Sequence, residues 1–547
     1  MADIPARPTR MGLVLSASAA GTVFEWYDFF IFGSLLSIVS RHFFAGAGET
    51  QGYIFALLTF AVGFAVRPFG GLVFGYFGDR TGRKRTFLFT IVIMGLATFA
   101  IGLLPDTSAI GDAAPYLLIA LRVLQGFAVG GEYGGAAVYV AEHAERTKRG
   151  AATGWIQVAA TVGLFLALTV ILILRTTMGE TAFAAWGWRV PFLLSLILLV
   201  ISIWIRLKLD ESPAFRALKE SGTTSRAPLS ETFLRWRNLR IVLVVLIGLL
   251  IGQGAVWYTA QFYTQFFLER VMKVEPRVVN LLILSVTVAS ALLHIFFARL
   301  SDRVGRKPVM LFGLLLAAVS FVPGFQLLAG AVNPGLTEAI AKEPVTVFAA
   351  PGDCSFQFDL IGKTKFSSSC DIAKSTLANL GVPYRNEAVE PGELARIRIG
   401  TVTLSSIDGA VLASTALATA QKNFAAEVKT ALTAAGYPAA ADSSRVDFVL
   451  AFALLLVFVT AAAALYGPQA ATLVELFPTR IRYSALSLPY HLGVGWFGGF
   501  LPPIAFAIVA ATGNLYAGLW YPVSIAAIGF VVTLLFLPET KGRDILG

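Results

Sequence analysis

Gly78-Asp79-Arg80-Thr81-Gly82-Arg83-Lys84 is a charged, glycine-bearing break between long apolar runs, and Ser301-Asp302-Arg303-Val304-Gly305-Arg306-Lys307 repeats it. The offset is constant: Asp79 to Asp302 and Lys84 to Lys307 are both 223 positions apart. One basic loop would say little. Two copies in register, each between apolar segments of membrane-spanning length, identify a duplicated membrane protein.

Composition agrees. Of 547 residues 56% are hydrophobic and 14% charged, with a mean hydropathy of +0.73, outside the range of soluble domains. The net charge of +10 is not gathered into an aromatic-interleaved basic patch, so nucleic acid is not the expected partner. Met1–Arg10 is polar and basic, and no cleavable signal peptide follows it. Twelve apolar runs, each near the ~20 residues that a bilayer demands, fall at 12–40, 52–77, 84–104, 115–142, 150–175, 186–207, 240–268, 277–299, 307–331, 448–477, 483–511 and 515–537. With the N-terminus inside, inner loops and tails hold 25 Lys and Arg and the outer loops 5, a bias that puts both termini in the cytoplasm. The segment 206–240, with Arg206, Lys208, Arg216 and Arg235, then reads as a cytoplasmic linker.

The second half is longer than the first. Glu142, Arg146 and Arg149 follow the fourth run, and Glu475, Arg480 and Arg482 follow the tenth, but Glu142 and Glu475 are 333 positions apart instead of 223. An insertion accounts for the difference. The expected division is 1–207, a linker at 208–239, 240–331, a periplasmic insert at 332–447, and 448–547. Alternating runs at Pro344–Phe348 and Ala395–Ile399 predict strands in the insert. Two helical stretches are also expected, one opened by Asp371 as N-cap and stopped by Gly381, giving a small α+β domain. Cys354 and Cys370, the only cysteines, both lie here; an oxidising compartment favours a disulfide worth ~3 kcal/mol, with two free buried thiols as the alternative. The insert has no His, which counts against a metal site.

The paired loops resemble the signature of the major facilitator superfamily. Gly21-Thr22-Val23-Phe24-Glu25-Trp26-Tyr27-Asp28-Phe29-Phe30, Arg122-Val-Leu-Gln125-Gly126 and Gly130-Gly131-Glu132-Tyr133-Gly134 resemble its metabolite:proton symporter branch, which includes dicarboxylate, tricarboxylate, shikimate and proline/betaine carriers. The likeness covers nearly the whole chain except the insert. It implies an all-α polytopic membrane protein of twelve transmembrane helices in two six-helix halves, here with an α+β insert.

Charges inside apolar runs are the candidates for chemistry, because each costs several kcal/mol unless paired, watered or protonated. Glu25 and Asp28, three residues apart, share a helix face, and crowded carboxylates suit a group that loads and releases a proton. An ion pair with a nearby cation is the plainer alternative for each. Arg122, in a pattern that resembles the superfamily's fourth-helix motif, and Glu132 complete the proton-coupling candidates; a helix contact is an equal reading for Glu132. Arg67 is placed to meet an anionic substrate, and Arg189 reads as an anchor. The likeness makes the first, fourth, seventh and tenth helices line the path. Polar and aromatic residues within the apolar runs, Tyr27, Tyr133, Gln157, Gln253, Tyr258, Gln261, Tyr466, Gln469, Tyr490 and His491, are the candidate binding residues, with packing the competing role of each Tyr. Asp79, Arg83, Asp302 and Arg306 are expected to gate, pairing with one another and with a neighbouring helix end. Gly78, Gly82 and Gly305 permit the tight turns.

The expected function is import of a small polar metabolite, an anionic carboxylate by preference, by proton symport in a bacterial inner membrane. The carrier is read as a monomer with no cofactor beyond the proton. Uptake of a zwitterionic osmolyte is the nearest alternative; it is expected to need a long charged C-terminal tail, and nine residues follow Pro538. A membrane receptor using the insert is the other, and the ~35-residue inner segment leaves no room for a signalling domain. No catalytic constellation appears.

Overall fold

The computed structural model describes residues 11–44, 49–356 and 367–545. Met1–Arg10, expected to form the cytoplasmic N-terminal tail, lies outside them. Among the described residues eleven helices are long and apolar enough to cross a bilayer, and a pair bent by 65° makes a twelfth. In chain order, spans 1 to 6 are Met11–Ser34 with Leu36–Phe43, Leu58–Thr81, Arg83–Leu103, Ala113–His143, Arg149–Met178 and Arg189–Leu207. Spans 7 to 12 are Trp236–Val271, Pro276–Val304, Arg306–Val332, Phe448–Leu476, Arg482–Thr512 and Ala517–Phe536. Their outward faces are apolar where lipid would lie, as at Leu172, Val200 and Leu292.

Glycine decides how closely the spans approach. A Cβ on Gly126 would lie 2.2 Å from the Gly63 carbonyl, and one on Gly130 would lie 2.3 Å from that of Arg67. Spans 2 and 4 therefore meet backbone to backbone. Spans 7 and 11 are irregular, with wide π-type turns at Leu246–Leu250, Thr259–Tyr263 and Phe267–Val271 in the first and at His491–Gly498 in the second.

The insert follows span 9, at the end of the molecule opposite the two signature loops. Four strands, β1 (Val345–Ala349), β2 (Tyr384–Ala388), β3 (Arg396–Ile399) and β4 (Val402–Ser405), form a sheet in the order β2-β1-β3-β4. β1 is parallel to β2 and antiparallel to β3. Val345, Val347, Ile397 and Ile399 are buried in one cluster with Ile372, Leu377, Phe424 and Val428 of helices Ser369–Asn379 and Ser414–Ala434. A third helix, Pro334–Lys342, is capped by Asn333. The helix expected to start on Asp371 is instead capped by Ser368, whose hydroxyl accepts the Asp371 N–H. Asp371 sits in the first turn, and its carboxylate accepts from Ser355 N (2.8 Å) and Oγ (2.6 Å). A serine with extended backbone caps as well as an aspartate does, so composition alone does not fix which one it is. Gly381 ends this helix at φ +65°, and a disulfide joins Cys354 to Cys370.

The insert is not hung on a flexible tether. Its core is continuous with Phe267, Leu268, Phe325 and Leu515 of the second half. Backbone-level contacts seal the junction: Tyr384 N to Gly513 O (2.9 Å), Asn386 Nδ2 to Thr512 O (3.0 Å), Ala441 N to Lys273 O (2.9 Å) and Asp447 N to Ala331 O (2.8 Å).

Candidate functional site

Of two adjoining spaces, the larger lies between the halves and the smaller is walled by the first half alone. Glu25, Asp28, Arg67, Arg122 and Gln125 line the smaller. The larger shares Glu25 and Arg67 with it and adds Trp26, Tyr133 and Gln157 from the first half. From the second half come Trp257, Tyr258, Tyr466, Tyr490 and His491.

Asp28 is held tightly. It accepts from Arg122 Nη1 (3.4 Å) and Gln125 Nε2 (2.9 Å); Gln125 is braced by Thr98 Oγ1 (2.8 Å) and itself accepts from Arg122 (2.9 Å). Glu25 is held loosely: Arg67 Nη1 is 3.8 Å from its Oε1. The Arg67 guanidinium lies 4.3 Å above the Phe64 ring, and its buried Nε has no hydrogen-bond partner among the described residues. Tyr133 stacks on Tyr490 across the halves, ring centroids 3.8 Å apart. Towards the insert side, Trp26 of span 1 meets Trp257 of span 7 edge to face at 5.4 Å, and Phe29 meets Phe262 at 6.0 Å. These aromatic contacts also join one half to the other.

Several candidates lie elsewhere. Tyr27 donates to the Pro191 carbonyl (2.7 Å), tying span 1 to span 6. Gln253 donates to Gln469 and joins spans 7 and 10, and Gln261 lines neither space. Glu132 pairs with Arg206 and accepts from Thr90 Oγ1 (3.0 Å). Arg206, read from sequence as a linker charge, is therefore the buried end of span 6. A run of apolar residues ending in Arg looks the same whether that Arg snorkels to water or turns inward; the buried Glu132 decides it. Arg189 donates to the Gly102 (3.4 Å) and Leu104 carbonyls.

The signature loops build two matching locks. Asp79 accepts the backbone N–H of Tyr483 (3.1 Å) and Ser484 (2.8 Å) in the first turn of span 11, and pairs with Arg83 at 3.2 Å. Asp302 accepts those of Gly150 (2.9 Å) and Ala151 (2.7 Å) in the first turn of span 5, and pairs with Arg306 at 2.6 Å. Each aspartate thus caps a helix of the opposite half, satisfying donors that a helix start leaves free. Gly82 (φ +119°) and Gly305 (φ +110°) make the turns, and a Cβ on Gly78 would strike the Tyr483 ring. A second layer repeats the symmetry. Arg482 pairs with Glu142 at 2.6 Å, and Arg149 with Glu475 at 3.6 Å.

Sequence reading missed a third layer. Glu211 accepts the N–H of Arg83 (3.0 Å) at the start of span 3, as Glu539 does for Arg306 (2.9 Å) at the start of span 9. The next residues match too: Ser212 Oγ donates to Glu142, and Thr540 Oγ1 to Glu475 (2.9 Å). The signal was available as an acid followed by a hydroxyl just past spans 6 and 12, 328 positions apart. Burial alone would push the Glu539 carboxyl up, but the N–H groups of Lys541, Arg306, Lys307 and Thr540 outweigh it and hold it below the usual carboxylate range.

The chain matches the family "Sugar (and other) transporter" over residues 13–232 and 425–546, and "MFS/sugar transport protein" over 135–348. It is 29% identical to a glycine betaine/proline/ectoine/pipecolic acid transporter of Dickeya dadantii over 98% of this chain and 85% of that one. The Escherichia coli proline/betaine transporter is 34% identical, over 57% of this chain and 64% of its own length. The shikimate transporter of the same organism is 37% identical over 57% and 71%. Among solved structures, the proton:xylose symporter XylE bound to 6-bromo-6-deoxy-D-glucose superposes with a TM-score of 0.64 over 98% of both chains, at 15% identity; that likeness speaks to the fold.

Proposed function

Since the chain belongs to the sugar (and other) transporter family of the major facilitator superfamily, we propose that it imports a small carboxylate-bearing metabolite by proton symport. As a secondary transporter it works by alternating access. The observation that carries the reading is the pair of adjoining buried spaces. One holds the Asp28–Arg122–Gln125 network, and the other brings Arg67 to the boundary between the halves, facing aromatic and polar side chains of the second half. Asp28, Glu25 and Arg122 handle the proton, with Glu132 positioning span 6 through Arg206. Arg67, Tyr133, Gln157, Tyr258, Tyr466, Tyr490 and His491 receive the substrate, and the locks at Asp79, Arg83, Asp302 and Arg306 set the conformational balance. The proton is the coupling ion, no other cofactor is needed, and the carrier acts as a monomer. Each co-transported charge supplies ~2.3 kcal/mol per 100 mV, and each pH unit ~1.4 kcal/mol.

The Lys and Arg bias orients the carrier in a bacterial inner membrane, with both termini and the signature loops cytoplasmic and the insert periplasmic. The chain then divides into halves at 1–207 and 240–547, joined by 208–239, with 332–447 interrupting the second.

One observation favours a zwitterion over a plain anion. Glu25 stands in the same cavity as Arg67, and Trp26, Trp257, Tyr258 and Tyr466 offer ring faces to an ammonium group. The transporters of betaine and proline among the relatives are compatible with this. The test is uptake of radiolabelled dicarboxylates, shikimate, proline and glycine betaine into proteoliposomes under an imposed pH gradient. Accumulation that a protonophore abolishes supports the symport reading, and uptake indifferent to it leaves a facilitator.

A further inference from the structure

The two carboxylates of span 1 are not equivalent. Asp28 is fixed by a guanidinium, an amide and a hydroxyl behind that amide. Glu25 has a single ionic contact, longer than a hydrogen bond, to an arginine that lines both spaces. Arg67 keeps an unsatisfied buried Nε, leans on the Phe64 ring, and so has donors in reserve. A planar guanidinium with idle donors takes a carboxylate in bidentate fashion when one arrives.

Resting on the symport reading above, we propose that Arg67 is an exchangeable counter-ion: the substrate's carboxylate displaces Glu25 from it, and Glu25 takes up the coupled proton. Binding begins with Arg67 shared between Glu25 and empty space. The incoming carboxylate claims the guanidinium, and Glu25 is left as a buried carboxylate without a counter-charge. That arrangement costs several kcal/mol, which a proton from the open side relieves. When the other side opens and the substrate leaves, Arg67 returns to Glu25 and the proton departs to that side. One proton thus accompanies one carboxylate, without any contact between proton and substrate.

Other charges around Glu25 do not replace Arg67. Asp28 on the same span is committed to Arg122, and Glu132 of span 4 to Arg206 of span 6. The other titratable groups that line the larger space are Tyr133 of span 4, Tyr258 of span 7, Tyr466 of span 10, and Tyr490 and His491 of span 11. Among the described residues that line the larger space, Arg67 is the one lysine or arginine.

The experiment measures binding and proton uptake on the purified carrier in a weakly buffered solution with a pH-sensitive dye, using α-ketoglutarate, shikimate and glycine betaine as probes. Wild type is expected to take up one proton per probe bound, with affinity falling tenfold per pH unit on the alkaline side. Glu25→Gln should bind with no proton uptake and no such pH dependence, at an affinity like that of the wild type at low pH. Glu25→Asp, which draws the carboxylate back by one methylene, should tighten binding at alkaline pH and covers the case in which the Gln variant does not fold. Continued uptake of one proton by Glu25→Gln, or an unchanged alkaline limb in Glu25→Asp, would overturn the exchange and put the proton on Asp28. A wild type that shows neither proton uptake nor gradient-driven accumulation would refute the symport reading, and the exchange with it.

Discussion

Replacing Asp79 by alanine removes two hydrogen bonds that join the halves, those from Tyr483 and Ser484 to a buried carboxylate. Its pair with Arg83 lies within one half and persists in any rigid-body motion. Of Asp79's own contacts, the two capping bonds are the ones that exist in the state in which spans 2 and 11 touch and not in the other. Charge-assisted bonds of this kind are worth about 1.5–3 kcal/mol each before the aspartate regains water in the open state, so the net loss is about 2–3 kcal/mol. That is a roughly thirty- to 150-fold shift towards the state open at the signature face. Asp302→Ala loses the equivalent bonds to span 5, and the two sites share no partner, so their effects should add. The assay is a spin-label distance between Cys introduced at exposed Arg85 and Arg303 on the two halves. No free cysteine was found among the described residues, so the labels mark those two sites. Each variant should populate longer distances, and the double variant more so, while the order of preference among substrates stays as in the wild type. A distribution unchanged in both single variants would refute the capping lock, and so would altered substrate choice.

Three further outcomes follow. Arg206→Met strands the Glu132 carboxylate in a buried site and should lower thermal stability by about 3 kcal/mol or more, while Glu132→Gln with Arg206→Met recovers most of it; equal losses in the single and double variants would show that the pair is not coupled. Cys354→Ser with Cys370→Ser should cost about 3 kcal/mol of insert stability by loop entropy, read as earlier unfolding or proteolysis of the insert, with no thiol labelling of the unreduced wild type. Glu539, held below the usual carboxylate range, stabilises the fold above its unfolded value near 4.5 and loses that contribution as pH falls through its folded value; melting temperatures of wild type and Glu539→Gln should differ at pH 7 and converge in acid.

How much of this was legible depended on repetition. The twelve spans and the signature loops were readable because length, apolarity and a duplicated motif are one-dimensional signals. Two of the four strands of the insert's sheet, β1 and β3, were announced by alternation at Pro344–Phe348 and Ala395–Ile399, while β2 and β4 were not. The insert's fusion with spans 7, 9 and 11 was not legible, because Tyr384 meets Gly513, Ala441 meets Lys273 and Asp447 meets Ala331 backbone to backbone, which leaves little trace in residue choice. Helix faces were also unreadable: Tyr27 and Asp28 are neighbours in sequence, yet one faces Pro191 and the other Arg122. A nearly uniform apolar helix gives no moment from which to choose between them.

The symmetry of the locks sets off the asymmetry of the cavity. Three layers on the signature face recur in both halves, so neither half dominates the closed state. Inside, among the described residues, the charges that line the two spaces, Glu25, Asp28, Arg67 and Arg122, come from the first half. The second half supplies Trp257, Tyr258, Tyr466, Tyr490 and His491. It also carries the insert, anchored at the ends of spans 7, 9 and 11. Duplication thus preserved the hinge that both halves need to rock, while ionic chemistry stayed with one copy. The other supplies a mostly neutral, aromatic wall whose shape can change without disturbing those four charges. Substitutions on that wall should therefore move substrate choice, and substitutions among the four charges should move coupling.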